Sequence, residues 1–267
     1  MRNRLLMAVL FTPIFIILIF WGGIPFFFLV AAIALTGLLE FYRMIETKEI
    51  KPLIFLGLLM AIGWLLAISV PQAFSLVIAA SVMVLLVYQM RRNDLSRAIT
   101  NCAMTIFGLF YVVGLLGHLL VLRNLEGGRS LVFTVWFITW MGDSGAFTIG
   151  KSWGKHKLLP RISPKKTVEG VIGGIGSAIL AAFVAYITLR VIFKSEPFPI
   201  SHAFFLGLIL GVVGILGDLS ESLFKRKAKV KDSGESIPGH GGVLDTFDSL
   251  LFTVPVMYYY AKFILHR

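Results

Sequence analysis

Residues 200–226 read ISHAFFLGLILGVVGILGDLSESLFKR, and this stretch decides the architecture. Its first 18 residues carry no charge, close to the roughly 20 apolar residues a helix needs to cross a bilayer. Gly207, Gly211, Gly214 and Asp218 follow one another at intervals of four, three and four residues, which places them on one face of an α-helix. Small residues let membrane helices approach closely, so this face is expected to press against a neighbour. It would carry Asp218, and Ser222 one turn on, toward the protein interior. Packing accounts for the glycines but leaves the carboxylate unexplained.

Eight further apolar runs surround this one, at about 5–21, 25–42, 52–70, 73–90, 98–122, 130–150, 167–193 and 247–265, with the quoted run at 200–221. The expected fold is therefore an all-α, polytopic membrane helix bundle of about nine transmembrane helices in a single integral membrane domain. Composition agrees, since 57% of the 267 residues are hydrophobic and 15% charged, with a mean hydropathy of +0.87. A soluble chain needs about 25% charged residues for its surface. Arg2 and Arg4 precede the first run as they would in a signal peptide. No small-residue cleavage site follows, so the run reads as a retained helix. The lone Cys102 excludes an intramolecular disulfide and a cysteine metal cluster.

The formal charge of +11 would suggest nucleic acid in a soluble protein. Here it sorts by membrane side. With the N-terminus cytoplasmic, only Arg123, Arg129, Arg190, Lys194, Lys262 and Arg267 of the 25 Lys and Arg fall on the outer side. The positive-inside rule thus fixes the orientation, and no nucleic-acid partner is needed.

Residues 1–125 supply apolar helices with little internal chemistry, and 126–267 hold almost every unusual polar cluster. Two residues of the first half stand out. Glu40, near the cytoplasmic end of the second run, reads as a snorkelling or helix-end residue, and His118 as a hydrogen-bonded interior histidine. In the second half, Asp143 and Asp218 lie at the cytoplasmic ends of two runs. A basic loop, Lys151 to Lys166, follows the first, and another, Lys225 to Lys231, follows the second. Asp245 and Asp248 then open the last run, three residues apart and on one face. Carboxylates in this pattern suit Mg²⁺, which takes oxygen ligands from one or two acids and from substrate phosphates. Basic side chains and glycine-exposed amides suit the phosphates themselves. Together they point to phosphoryl or nucleotidyl transfer at a membrane surface. The string Gly145 to Ser152, GAFTIGKS, satisfies the phosphate-loop expression. It ends a membrane helix, with no β-strand ahead of it, and is not read as one.

The segment Ser222 to Asp248, SLFKRKAKVKDSGESIPGHGGVLDTFD, resembles the signature of the phosphatidate cytidylyltransferase (CDP-diglyceride synthase) family of bacterial type. The shared positions are Ser222, Lys225, Arg226, Lys231, Asp232, Pro238, His240, Gly241, Gly242, Asp245 and Asp248. A second stretch, Asp143 to Gly174, is similar to the family through the run Ser163, Pro164, Lys165, Lys166, Thr167, Glu169, Gly170. One departure is Thr246, where the family usually has arginine, and Lys227 or Lys229 are candidates to replace its contact.

The resemblance implies that CTP and phosphatidate react, with Mg²⁺, to give CDP-diacylglycerol and pyrophosphate. It implies Asp218, Asp245 and Asp248 as metal ligands, and Asp143 as a further ligand or a nucleotide contact. Lys165, Lys166, Lys225, Arg226 and Lys231 would neutralise phosphates, with Ser163, Thr167, Ser222, Gly241 and Gly242 beside them. His240 would donate to a phosphate or fix the glycine turn. Glu169 and Glu221 would hold these bases in place. The site would face the cytoplasm from a multi-pass protein of the bacterial inner membrane, among membrane lipids, with a homo-oligomer left open. The rival readings are a CTP-dependent polyprenol kinase and an organic-anion transporter. Clustering of the charge at one membrane face speaks against the transporter.

Overall fold

The computed structural model describes residues 2–91, 96–196, 198–237 and 241–267, with side chains from Thr12 onward. Nine helical rods make up the described residues. They are α1 (Arg2–Trp21), α2 (Gly23–Ile45), α3 (Ile54–Ala67), α4 (Pro71–Met90), α5 (Ala98–Arg123), α6 (Gly128–Trp153), α7 (Val168–Val191), α8 (Ser201–Ala228) and α9 (Val243–Phe263). Each overlaps one of the apolar runs. The helices α2, α4, α5, α7 and α8 are long and apolar enough to cross a membrane, and the protein is a multi-pass integral membrane protein.

The basic loop after α6 departs from the all-helical expectation. It folds as an antiparallel hairpin of β1 (Lys157–Leu159) and β2 (Ser163–Thr167), with Lys157 opposite Thr167 and Leu159 opposite Ser163. The second strand runs directly into α7, whose first turn is capped by Thr167 Oγ1 accepting from Gly170 N at 3.2 Å. Within α5, Leu109–Gly114 widens into a π-helical turn.

Glycines bring the second-half helices together. Added methyl groups at Gly170 and Gly174 would meet the α6 backbone, 2.9 Å from the Ala146 carbonyl and 3.1 Å from that of Gly142. On α8 the face anticipated from the spacing divides between two neighbours. Gly211 lies against Ile175 and Ala178 of α7, whereas Gly214 lies against Ser249 and Thr253 of α9. Gly217, on the same side, comes so near α9 that an added Cβ would stand 2.6 Å from the Asp248 carbonyl. This close crossing sets Asp218 beside Asp248.

The outer surface is apolar where a soluble protein would be polar. Ile172, Leu180 and Ile187 on α7 and Leu76 and Met83 on α4 are all exposed, as lipid-facing side chains are. A patch of this extent in water would be an aggregation site. His118 is interior as anticipated, its Nδ1 2.7 Å from the Gly114 carbonyl.

Candidate active site

The site forms where the C-terminal ends of α6 and α8 meet the start of α9. Lys225, one turn beyond Glu221 on α8, is paired with Glu221 and lies 2.6 Å from Asp245 Oδ1 across the helix boundary. Glu221 is fully buried and Lys225 nearly so. Burying a charge is tolerable only with such partners. An ammonium has three donors, so two carboxylates leave one for a further acceptor.

Asp245 is saturated. Its other oxygen, Oδ2, accepts from Ser233 N, Ser233 Oγ and Gly242 N, each at 2.8 Å. It thereby ties the loop after α8 to the first turn of α9. That loop closes through a bridge between Ile237 and Gly241, and Gly241 takes φ +97°, a conformation open to glycine at little cost.

On the other side of the crossing, Lys166 of β2 reaches Asp218 Oδ2 at 2.6 Å, with Ser222 Oγ 3.4 Å from Asp218 Oδ1. Asp143 on α6 accepts from Ser249 Oγ at 3.1 Å. Asp248 is 8% exposed and lies within electrostatic range of Asp143, Asp218 and Glu221, with Lys225 as the counter-charge. Carboxylates therefore outnumber the two lysines that face them. This excess of oxygen donors has the chemistry of a hard divalent cation site. Among the described residues no three acidic, histidine or cysteine side chains already stand at ligating spacing. Mg²⁺ usually keeps water and substrate phosphates in its shell, so the donor set fits.

The remaining expected residues are placed as follows. Arg226 touches the hairpin, donating Nε–H to the Ile162 carbonyl at 2.9 Å. Lys165 is exposed and Ser163 partly so. Thr167 is buried as the α7 cap. Lys231 is 82% exposed and 3.8 Å from Asp232. Gly242 caps α9, and His240 lies outside the described residues. Glu221 holds a site base as anticipated. Glu169 instead accepts from Lys155 N at 3.0 Å and stands 2.6 Å from His156 Nδ1, fastening the start of the hairpin loop. Lys227 and Lys229 are exposed, and Thr246 Oγ donates to the Gly242 carbonyl at 3.1 Å. The phosphate-loop string is helical throughout and its glycines face α7, with Gly145 against Ser177 and Gly150 against Gly170.

A cavity of about 670 Å³ opens beside the acids, between α1, α2, α6 and α9. Phe15, Leu29, Ile33, Trp136 and Phe247 make its walls apolar, and Asp143, Asp245, Thr246 and Ser249 line its polar part. Its N-terminal walls were invisible to motif reading. Glu40 was missed as well. It is buried, not snorkelling, and its carboxylate accepts from Val243 N at 3.0 Å and Leu244 N at 2.8 Å.

Fold and site together define a membrane enzyme in which paired lysines and an acid cluster adjoin an apolar cavity. The chain matches the model of the Cytidylyltransferase family over residues 2–264. It is 35% identical to the phosphatidate cytidylyltransferase of Bacillus subtilis (strain 168), over 97% of each chain. It is 34% identical to that of Staphylococcus aureus (strain COL), over 96% of this chain and 97% of the relative. Identity to that of Synechocystis sp. is 31%, over 98% of this chain and 97% of the relative. The chain belongs to the cytidylyltransferase family and is a nucleotidyltransferase.

Proposed function

We propose that the chain transfers CMP from CTP to phosphatidate, giving CDP-diacylglycerol and pyrophosphate, as the names of its relatives suggest for them. The observation that carries this reading is the apolar cavity whose polar part is Asp143, Asp245 and Ser249. It offers space for acyl chains within reach of a site built for phosphates.

In the reaction an oxygen of the lipid phosphate attacks the α-phosphorus of CTP. A new P–O bond forms, the α–β bridging P–O bond breaks, and its electron pair leaves with pyrophosphate. The nucleophile is already an anion, so no general base is required, and catalysis rests on positioning and charge neutralisation. Lys225 directs its third donor to a phosphate oxygen while Glu221 and Asp245 hold it in place. Lys166 moves from Asp218 toward the triphosphate. Mg²⁺, when bound, supplies charge neutralisation, and Asp143, Asp218 and Asp248 are the residues that would hold it. Both oxygens of Asp245 are engaged by the protein. It anchors Lys225, Ser233 and Gly242.

The nine rods cross the bacterial inner membrane with the N-terminus and the site on the cytoplasmic side, a reading supported by the distribution of Lys and Arg. CTP then arrives from the cytoplasm and phosphatidate from the bilayer.

The test uses purified protein with phosphatidate, Mg²⁺ and CTP labelled at the α- or the γ-phosphorus. Label from the α-phosphate is expected in lipid and label from the γ-phosphate in pyrophosphate. Appearance of the γ-label in lipid would mean a lipid kinase, and no transfer by monodisperse protein would end the proposal.

A further inference from the structure

Glu40 sits on α2, in the half of the chain that contributes no acid to the cluster, yet it is only 5% exposed. A buried acid is costly unless it is paired or hydrogen-bonded, so it marks a specific partner. Here the partner is the N-terminus of α9. The carboxylate accepts from Val243 N at 3.0 Å and from Leu244 N at 2.8 Å, two of the first amides of that helix. Such amides have no acceptor within the helix, and the positive end of the helix dipole favours an anion there.

The surrounding backbone is shaped around this side chain. A methyl group at Gly234 would stand 2.6 Å from Glu40 Oε1, and one at Gly242 would stand 2.5 Å from Oε2. Both glycines belong to the loop that Asp245 fastens. Ser233 joins the two acids, because its hydroxyl donates to Asp245 Oδ2 at 2.8 Å and lies 3.5 Å from Glu40 Oε2. Glu40 and Asp245 thus both hold the same loop and the same helix turn. The turn they hold begins the helix that carries Asp248.

We propose that Glu40 is a positioning residue for the transfer reaction: it fixes the start of α9, and through Ser233 the rotamer of Asp245, so that Lys225 and Asp248 meet the reactants in one geometry. This rests on the function proposed above. It also gives the N-terminal half a share in the chemistry beyond lining the cavity.

Glu40→Gln keeps the volume but replaces one acceptor oxygen with an N–H₂ facing the α9 amides. Its kcat is expected to fall by about 10²-fold, the effect of a small misplacement of reacting groups, while KM for CTP and phosphatidate stays within about twofold. Ser233→Ala should lower kcat less. The double variant should fall short of the product of the two effects, because neighbours in one network do not act additively. Hydrogen exchange, which needs no turnover, should show faster exchange of the 243–245 amides in Glu40→Gln and unchanged exchange near Tyr258. Wild-type kcat per folded molecule, fully multiplicative effects, or unchanged protection at 243–245 would each overturn the proposal. If wild-type protein makes no labelled lipid, the function reading fails, and the exchange result still decides whether Glu40 holds the helix.

Discussion

Lys225 Nζ stands 2.6 Å from Asp245 Oδ1, and this contact ties the C-terminal end of α8 to the first turn of α9. The same ammonium also holds the buried Glu221 one turn back. Removing it would leave two carboxylates facing each other without a cation. For Lys225→Ala we expect a loss of about 3 kcal/mol, the usual cost of breaking a buried pair from one side, together with loss of turnover. Thermal unfolding in detergent and label transfer read the two effects separately.

Gly217 and Gly176 form a natural contrast. A Cβ at Gly217 would meet the Asp248 carbonyl at 2.6 Å, whereas nothing lies within 4 Å of one at Gly176. Gly217→Ala should push α8 from α9 and lower kcat by about tenfold or more, since reacting groups tolerate little displacement. Gly176→Ala should keep wild-type turnover and unfolding temperature.

Asp218→Asn should leave the protein inserted and monodisperse but reduce turnover by at least about 10²-fold, as expected on losing a group that stabilises transition-state charge. The residue is 35% exposed and, among the described residues, is paired with Lys166, so folding does not depend on it heavily. Size-exclusion profiles and the transfer assay check both halves of the statement.

Lys151 satisfies the lysine position of the phosphate-loop expression, but it lies at the end of a helix, 5.9 Å from the Phe147 ring. Lys151→Ala should therefore turn over within about twofold of wild type, since exposed pairs of this kind contribute about 1 kcal/mol or less. A nucleotide-binding loop would lose nearly all activity.

Chelation of divalent cations should abolish transfer, and Mg²⁺ should restore it. The acid excess around Asp248 supports this expectation. Turnover that persists in chelator would remove the metal from the mechanism.

The helices were legible because apolar length and a glycine spacing on one face report directly on membrane packing. The hairpin was not. Its second strand, SPKKT, has no alternation of apolar and polar residues, and it is ordered by pairing with β1 and by the cap it gives α7. The acids and lysines of the site were legible as types, clustered at one face. Their pairing depended on helix rotation, which put Lys225 on Asp245, and on the hairpin, which put Lys166 on Asp218. Arg226 has a contact that motif reading does not give, since its Nε–H donates to the Ile162 carbonyl of the hairpin. Glu40 was the hardest to read because its partners are backbone amides about 200 positions away, and amides leave no trace in side-chain patterns.

The cavity beside Asp143 is walled by Phe15, Leu29 and Trp136 and measures about 670 Å³, a volume comparable to that of an alkyl chain. Every solubilised preparation will then bring its own competitor. Apparent lipid affinity should rise and fall with the detergent's tail length and concentration, so that kinetic comparisons between laboratories become comparisons of micelles unless surface dilution is controlled.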